Sequence, residues 1–212
     1  MKSKRYPQSS RGRENYVILQ DLRTEVLKSH RLLHETVVLE DFVSSRDSYI
    51  RKLMLLYGVL MPVEQMIEPY LCHLPKQLGL EPRLKTGWIE KDLLKLGLTV
   101  DEIADIQIQS DVPKINGLAE AVGALYVIEG STFGGKIIYS TIKKELRLHQ
   151  NNGARYFYGY GAQQVHKWEF FCQFIESFIR EQPQHFSPLS HTARETYEAY
   201  HRWFLRNKKH QL

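Results

Sequence analysis

The stretch from Leu118 to Leu146 reads as one long helix, yet its centre, "IEGSTFGGKI" at residues 128–137, holds Gly130, Gly134 and Gly135 together with Ser131 and Thr132. Each Gly in a helix interior costs roughly 1 kcal/mol relative to Ala, so such a segment persists only where something approaches its backbone closely. At about 100° per residue, Gly130 and Gly134 fall one turn apart on the same face. Gly123 stands two turns earlier on nearly the same line. The result is a groove without side chains, and two occupants fit it. Small residues at four-residue spacing let a second helix cross closely, and a flat, rigid ligand can equally lie across bare backbone. Ser131 and Thr132 can bond to backbone carbonyls and help the helix bend to make room.

Helical periodicity dominates the rest of the chain, and alternating strand patterns bounded by turn signals are nearly absent. The expected fold is all-α. Its 212 residues suffice for one sizeable core, and neither an internal repeat nor a long linker marks a second domain. The expected organisation is a disordered basic arm over residues 1–14, one helical domain over 15–207 and a tail over 208–212. Within the domain, a first helix from about Tyr16 to Glu35 gathers Ile18, Leu22, Val26 and Leu33 on one side. "SSRD" at 44–47 caps a second helix that reaches Tyr70 and is kinked or interrupted at Pro62. A shorter helix spans about Gly87 to Leu96, and "TVDE" at 99–102 resembles a capping box opening another before Pro113. The Gly-interrupted helix ends at "NNGA", and two aromatic-rich helices, near Ala162 to Glu181 and Ser190 to Asn207, close the chain.

Composition excludes several function classes. No run of 18 or more apolar residues appears, so neither a membrane span nor a secretory signal is expected. Cys72 and Cys172 are too few for a disulfide framework or a structural zinc site, and a reducing cytoplasm fits them. The net charge of +5 sits largely in the first 13 residues and in "RNKKH" near the C-terminus, which read as solvated tails. Without zinc-finger spacing, an RNP signature or a helix-turn-helix, no nucleic-acid partner is expected. A basic body suits an anionic ligand or an acidic protein instead.

The first helix carries a second chemical signal. His30 lies about 40° from Val26 on the helical wheel and near Leu33, so its imidazole points towards the core. A neutral imidazole in an apolar cleft is either a satisfied core residue or a ligand to haem iron. Opposed to a glycine-lined helix, it completes a sandwich for a porphyrin. His34, one turn on, is almost as eligible, and periodicity does not choose between them. The remaining histidines show no paired ligand spacing, and Trp88, Trp168 and Trp203 read as core anchors.

Four segments then carry a family resemblance. They are "LRTEVLKSH" with Leu22, Arg23 and His30; "WIEKDLLKLG"; "ALYVIEGSTFGGKII"; and "GARYFYGYG" followed by Trp168 and Phe171. Together they span most of residues 19–175, and the third and fourth are the specific ones. The sequence resembles the biliverdin-producing haem oxygenases, most closely the bacterial branch often found with bacteriophytochromes. The resemblance implies a multi-helix bundle with haem between a proximal and a kinked distal helix. It makes His30 the axial ligand to iron and places Arg23 where a basic residue faces a haem propionate. Gly130, Ser131 and Gly134 become the catalytic candidates on the distal helix, with Gly130, Gly134, Gly135 and Tyr126 also among the haem-binding ones. Tyr126 either bonds a propionate or water or simply packs. Tyr156, Phe157, Tyr158 and Tyr160 either cover the haem edge or form an aromatic packing cluster, and Arg155 and Lys167 are minor propionate candidates.

The sequence departs from the family pattern in three places. Ser131 stands where the animal enzymes have an Asp, Val26 replaces a usual Thr, and His34 replaces a Glu often found one turn beyond the proximal His. The last keeps His34 as a minor candidate ligand. The implied reaction consumes O2 and electrons from an external donor such as a ferredoxin or a reductase, and yields biliverdin, carbon monoxide and ferrous iron. Haem is then substrate and cofactor at once, no second bound cofactor is expected, and a phytochrome can accept the biliverdin. Two alternatives stand beside it. One is a non-catalytic haem carrier or sensor of the same fold. The other is a thiaminase-like bundle that binds a small heterocycle with Cys172 or Glu176 as its reactive group.

Overall fold

The computed structural model describes residues 16–37, 43–74, 78 and 83–208, and among these the regular structure is helical throughout. The helices are α1 (Val17–Thr36), α2 (Arg46–Leu71), α3 (Thr86–Lys95), α4 (Val100–Ala104), α5 (Leu118–Glu145), the four-residue α6 (Arg155–Tyr158), α7 (Gln164–Glu181) and α8 (Phe186–Lys208). The arm expected over residues 1–14 lies outside the described residues, as do residues 209–212 of the tail; Lys208 belongs to α8. No helix among the described residues is long and apolar enough to cross a membrane.

Helix α1 buries Leu19, Leu22 and Val26 on one stripe but has no cap of its own, since the Tyr16 side chain makes no capping bond. The cap comes from a distant element. The Leu19 N–H donates to Glu176 Oε1 of α7 at 2.9 Å, satisfying one of the orphan donors of the first turn. Near the other end of α1, the buried Ser29 hydroxyl donates to Glu198 Oε1 of α8 at 3.0 Å. Both ends of the helix that carries His30 are therefore fixed by carboxylates from the C-terminal pair of helices.

Helix α2 opens on Ser45, whose hydroxyl accepts from the Ser48 N–H at 3.0 Å, and it contains both Pro62 and Pro69. The interruption expected at Pro62 does not occur, and the reason is local chemistry. Proline has no N–H for the carbonyl four residues earlier, which here belongs to Gly58. That carbonyl accepts instead from the Gln109 N–H at 2.8 Å. A side chain at Gly58 would collide with the Gln107 carbonyl and lie 2.8 Å from the Trp203 ring, so the approach requires glycine. Trp203 in turn donates its indole N–H to the Leu55 carbonyl at 2.8 Å.

Helix α5 packs against α2, α6, α7 and α8, while α1 packs against α7 and α8. The two helices that bear the candidate site are thus both seated on α8. Gly123 is what lets α5 and α8 meet. A Cβ there would overlap the Leu189 carbonyl and stand 3.2 Å from the Ala193 nitrogen, both backbone atoms of α8. The helix-crossing explanation of the glycine line holds at this position. Replacing Gly123 with Ala therefore costs about 2 kcal/mol or more through overpacking against main chain, and urea unfolding of the variant should show the midpoint falling with an unchanged slope.

Candidate functional site

His30 is half-buried on α1, whereas His34 is exposed. Their ring centroids lie 6.3 Å apart, and the His30 ring meets Tyr197 of α8 edge-on at 5.3 Å. Burial holds the His30 imidazole below its ordinary pKa, with the neighbouring His34 and Arg31 pushing the same way. At neutral pH the ring is uncharged and keeps a lone pair for a metal. Arg23 is half-buried two turns before His30, on the same side of the helix.

The glycines of α5 divide into two kinds. Gly135 is buried against α6, and a Cβ there would sit 3.5 Å from the Phe157 carbonyl oxygen and 3.7 Å from its ring. Its bareness serves protein packing, as does that of Gly123. Gly134 is different, since a Cβ would meet nothing within 4 Å. Gly130 is intermediate, with only ordinary contacts to Trp168 at 3.7 Å and to the Tyr197 hydroxyl at 3.9 Å. No packing constraint from the protein asks for glycine at 130 or 134. Tyr197 touches both sides of the site, its ring against His30 and its hydroxyl near Gly130.

Helix α5 runs unbroken through this turn. Ser131 is exposed and donates its hydroxyl to the Ile128 carbonyl at 2.7 Å, while Thr132 donates to the Glu129 carbonyl at 2.5 Å. Behind the glycines lies a buried ionic network. Glu129 receives Arg83 Nη1 at 2.8 Å, Lys85 Nζ at 2.6 Å and the Tyr160 hydroxyl at 2.7 Å, and Lys85 Nζ also donates to the Arg83 carbonyl at 2.8 Å. A second buried carboxylate, Glu64 of α2, accepts the backbone N–H groups of Lys85 and Thr86 at 2.5 and 2.9 Å. Gln164 adds a side-chain bond to the Thr132 hydroxyl. Glu129 and Thr132 thus pin the glycine turn from its back while Ser131 and Gly134 stay open.

Several of the other anticipated residues have structural partners. Tyr126 is buried with its ring 5.5 Å from that of Trp168. Tyr160 belongs to the ionic network, and burial together with Glu129 raises its phenol well above the ordinary range. Arg155 stacks 4.0 Å over the Trp88 ring and bonds the Gly159 carbonyl. The Cys172 thiol is buried and pushed up to about 12, mainly by burial, and Glu176 Oε1 holds the Leu19 N–H. A thiol held protonated in this way is a poor nucleophile near neutral pH, which weighs against Cys172 as the reactive group of the thiaminase-like alternative. Among the described residues, no group of three or more His, Cys, Asp or Glu side chains could hold a bare metal ion. The candidate donor is one neutral imidazole, edge-on to Tyr197, whose hydroxyl lies near Gly130, and a single imidazole suits an iron that arrives inside a macrocycle.

A family model described as "Heme oxygenase" matches residues 17–206. The chain belongs to the haem oxygenase family. It is a haem oxygenase by family, an enzyme for which haem is both substrate and cofactor. Solved structures agree on the fold. A Neisseria meningitidis heme oxygenase described with NO and CO bound superposes with a TM-score of 0.73 at 20% identity, covering 89% of this chain and 90% of that one. A Synechocystis heme oxygenase-1 in complex with heme gives 0.69 at 16% identity over 91% and 93%. The heme-free Chlamydomonas reinhardtii heme oxygenase 2 gives 0.68 at 16% identity over 89% and 96%. No curated protein sequence matches significantly.

Sequence reasoning missed Glu129 and its two cations, although a carboxylate in the middle of an otherwise apolar helix was a signal that a buried partner existed. It also missed Tyr197. Replacing Glu129 with Gln in this haem oxygenase leaves Arg83 and Lys85 buried without their counter-charge, and the expected cost is about 3–5 kcal/mol. The thermal unfolding midpoint of the haem-free protein measures it.

Proposed function

We propose that this haem oxygenase opens haem to biliverdin, carbon monoxide and ferrous iron between α1 and α5, where His30 would hold the iron and the Gly130–Gly134 backbone would lie against the ring. The observation that carries the reading is that the protein itself makes no demand for glycine at 130 or 134. Bare main chain there serves a partner that is not protein. Haem, when bound, supplies the iron that activates O2 and the ring carbon that is oxidised.

The remaining roles fall to this chain's own groups. His30, kept neutral by burial, offers a ring nitrogen without the strong electron donation of a thiolate. Arg23 supplies a cation for a carboxylate on the same side of α1. The Ser131 hydroxyl donates its hydrogen bond to the Ile128 carbonyl, so its lone pairs are left to hold an ordered water as proton carrier. Electrons come from an external donor such as a ferredoxin or a reductase. Two free cysteines fit a reducing cytoplasm, and a phytochrome is a suitable acceptor of the product.

Protein loaded with hemin and given a reductant should lose its Soret band while biliverdin absorption grows. A stable Soret band under the same conditions would assign the protein to the carrier or sensor class. Replacing His30 with Ala should weaken haem binding by on the order of tenfold or more and stop ring opening, with added imidazole restoring part of the spectrum. A variant with the wild-type spectrum and rate would move the ligand to His34. Gly134→Ala offers the complementary test. In the haem-free protein it should stabilise α5 by about 0.5–1 kcal/mol, whereas haem affinity and turnover should both fall.

A further inference from the structure

The residues of α1 that reach full burial are Leu19, Leu22, Val26 and Ser29. Steps of three and four residues keep all of them on one face of the helix. Three are aliphatic and the last carries a hydroxyl, although an aliphatic side chain at that place would add apolar burial without needing a partner. The partner comes from 169 residues away: Ser29 Oγ donates to Glu198 Oε1 of α8 at 3.0 Å. The neighbouring residue of each helix joins the contact. His30 meets Tyr197 with ring centroids 5.3 Å apart and planes nearly perpendicular. Two consecutive residues of α1 are thus held by two consecutive residues of α8, one pair through a hydrogen bond and the other through their rings. Consecutive helical positions diverge by about 100°, so the two contacts grip α1 on adjacent faces.

We infer that Glu198, acting through Ser29, is a positioning residue for His30: it fixes the height and rotation of α1 at the imidazole that would hold the haem iron. The inference rests on the reading that His30 is the axial ligand.

The physical ground is the difference between apolar packing and a hydrogen bond. Burial of Leu19, Leu22 and Val26 is non-directional, so on its own it lets α1 slide or turn slightly at little cost. A bond from hydroxyl to carboxylate keeps its strength only over a narrow range of distance and angle, and the charge on the acceptor strengthens it. Arg194 stands 3.9 Å from the same Oε1, but both side chains are half-exposed and that pair holds the carboxylate weakly. The directional hold on α1 beside His30 is therefore the Ser29 bond. Groups behind a metal-binding imidazole govern how well it holds the metal, and a displacement on the order of 1 Å is enough to slow catalysis.

Three variants separate the hydrogen bond from charge and from packing. Ser29→Ala removes the donor, Glu198→Ala removes the acceptor, and Glu198→Gln keeps an amide oxygen able to accept the same bond. In the haem-free protein, the NMR signals of the His30 ring should carry the ring-current displacement imposed by Tyr197. They should move towards solvent positions in Ser29→Ala and Glu198→Ala and stay in place in Glu198→Gln. In hemin titrations followed by the Soret band, each Ala variant should bind on the order of tenfold more weakly, the double variant no more weakly than either single one, and Glu198→Gln as the wild type does. The iron–histidine stretch of the reduced, haem-loaded protein should shift or broaden in the two Ala variants. A bond with a merely structural role would lower the unfolding midpoint and leave the His30 signals, the haem affinity and that band unmoved, which overturns the inference. A Glu198→Gln protein as impaired as Glu198→Ala overturns it too, as does a double variant weakened by the product of the single effects. If Glu198→Ala does not fold, Ser29→Ala set against Glu198→Gln decides alone. A His30→Ala protein with the wild-type haem spectrum overturns the axial-ligand reading and with it the link from Glu198 to iron, while the haem-free signals still report whether Glu198 places the ring.

Discussion

The carboxylate of Glu129 is the fixed point of this protein. It sits one residue before Gly130, out of contact with water, and it is the counter-charge of two buried cations, Arg83 and Lys85. Taking three charges from water is costly unless each finds its partner at close range, so the arrangement tolerates little displacement of any member. That rigidity passes directly to the glycine turn. A helix with three glycines within six residues would otherwise be a soft part of the bundle, since glycine leaves the backbone its widest freedom. Here the glycine turn is soft in composition and stiff in position.

The opposite wall is organised by different means. α1 has neither a cap nor a buried charge of its own and takes its position from α7 and α8, through Glu176 at one end and Glu198 near the other. α8 then supplies Tyr197 between His30 and Gly130, so a single helix sets the spacing of the two walls. α1 and α5 are thus both seated on α8, and Gly123 is the contact that sets how closely α5 can approach it.

What could be read from the sequence was local. The capping box at Thr99 and Glu102, the start of α2 at Ser45 and the long reach of α5 depend on residues within a few positions of one another, and all are present. The eligibility of His30 was also legible, because one face of α1 carries it beside Val26, and the structure leaves His34 exposed. The glycine line was legible as a line but not as two functions. Only the surroundings show that Gly123 and Gly135 serve neighbouring helices while Gly130 and Gly134 do not. Glu129 meets Arg83 and Lys85 across 46 and 44 residues, and Asp92 meets α6 across more than 60, distances over which periodicity carries no information. Arg155 had looked like a solvated or ligand-facing cation for the same reason. Its partner is the face of Trp88, distant in sequence.

The bond from Gln109 to Gly58 carries a consequence for how the chain reaches this state. An ordinary helix closes each of its rungs within a few residues, and can do so before anything else is in place. With a proline at 62, one rung of α2 has no local donor and is completed only when the segment following α4 arrives. The hydrogen bonding in the middle of α2 is therefore complete only in the assembled bundle.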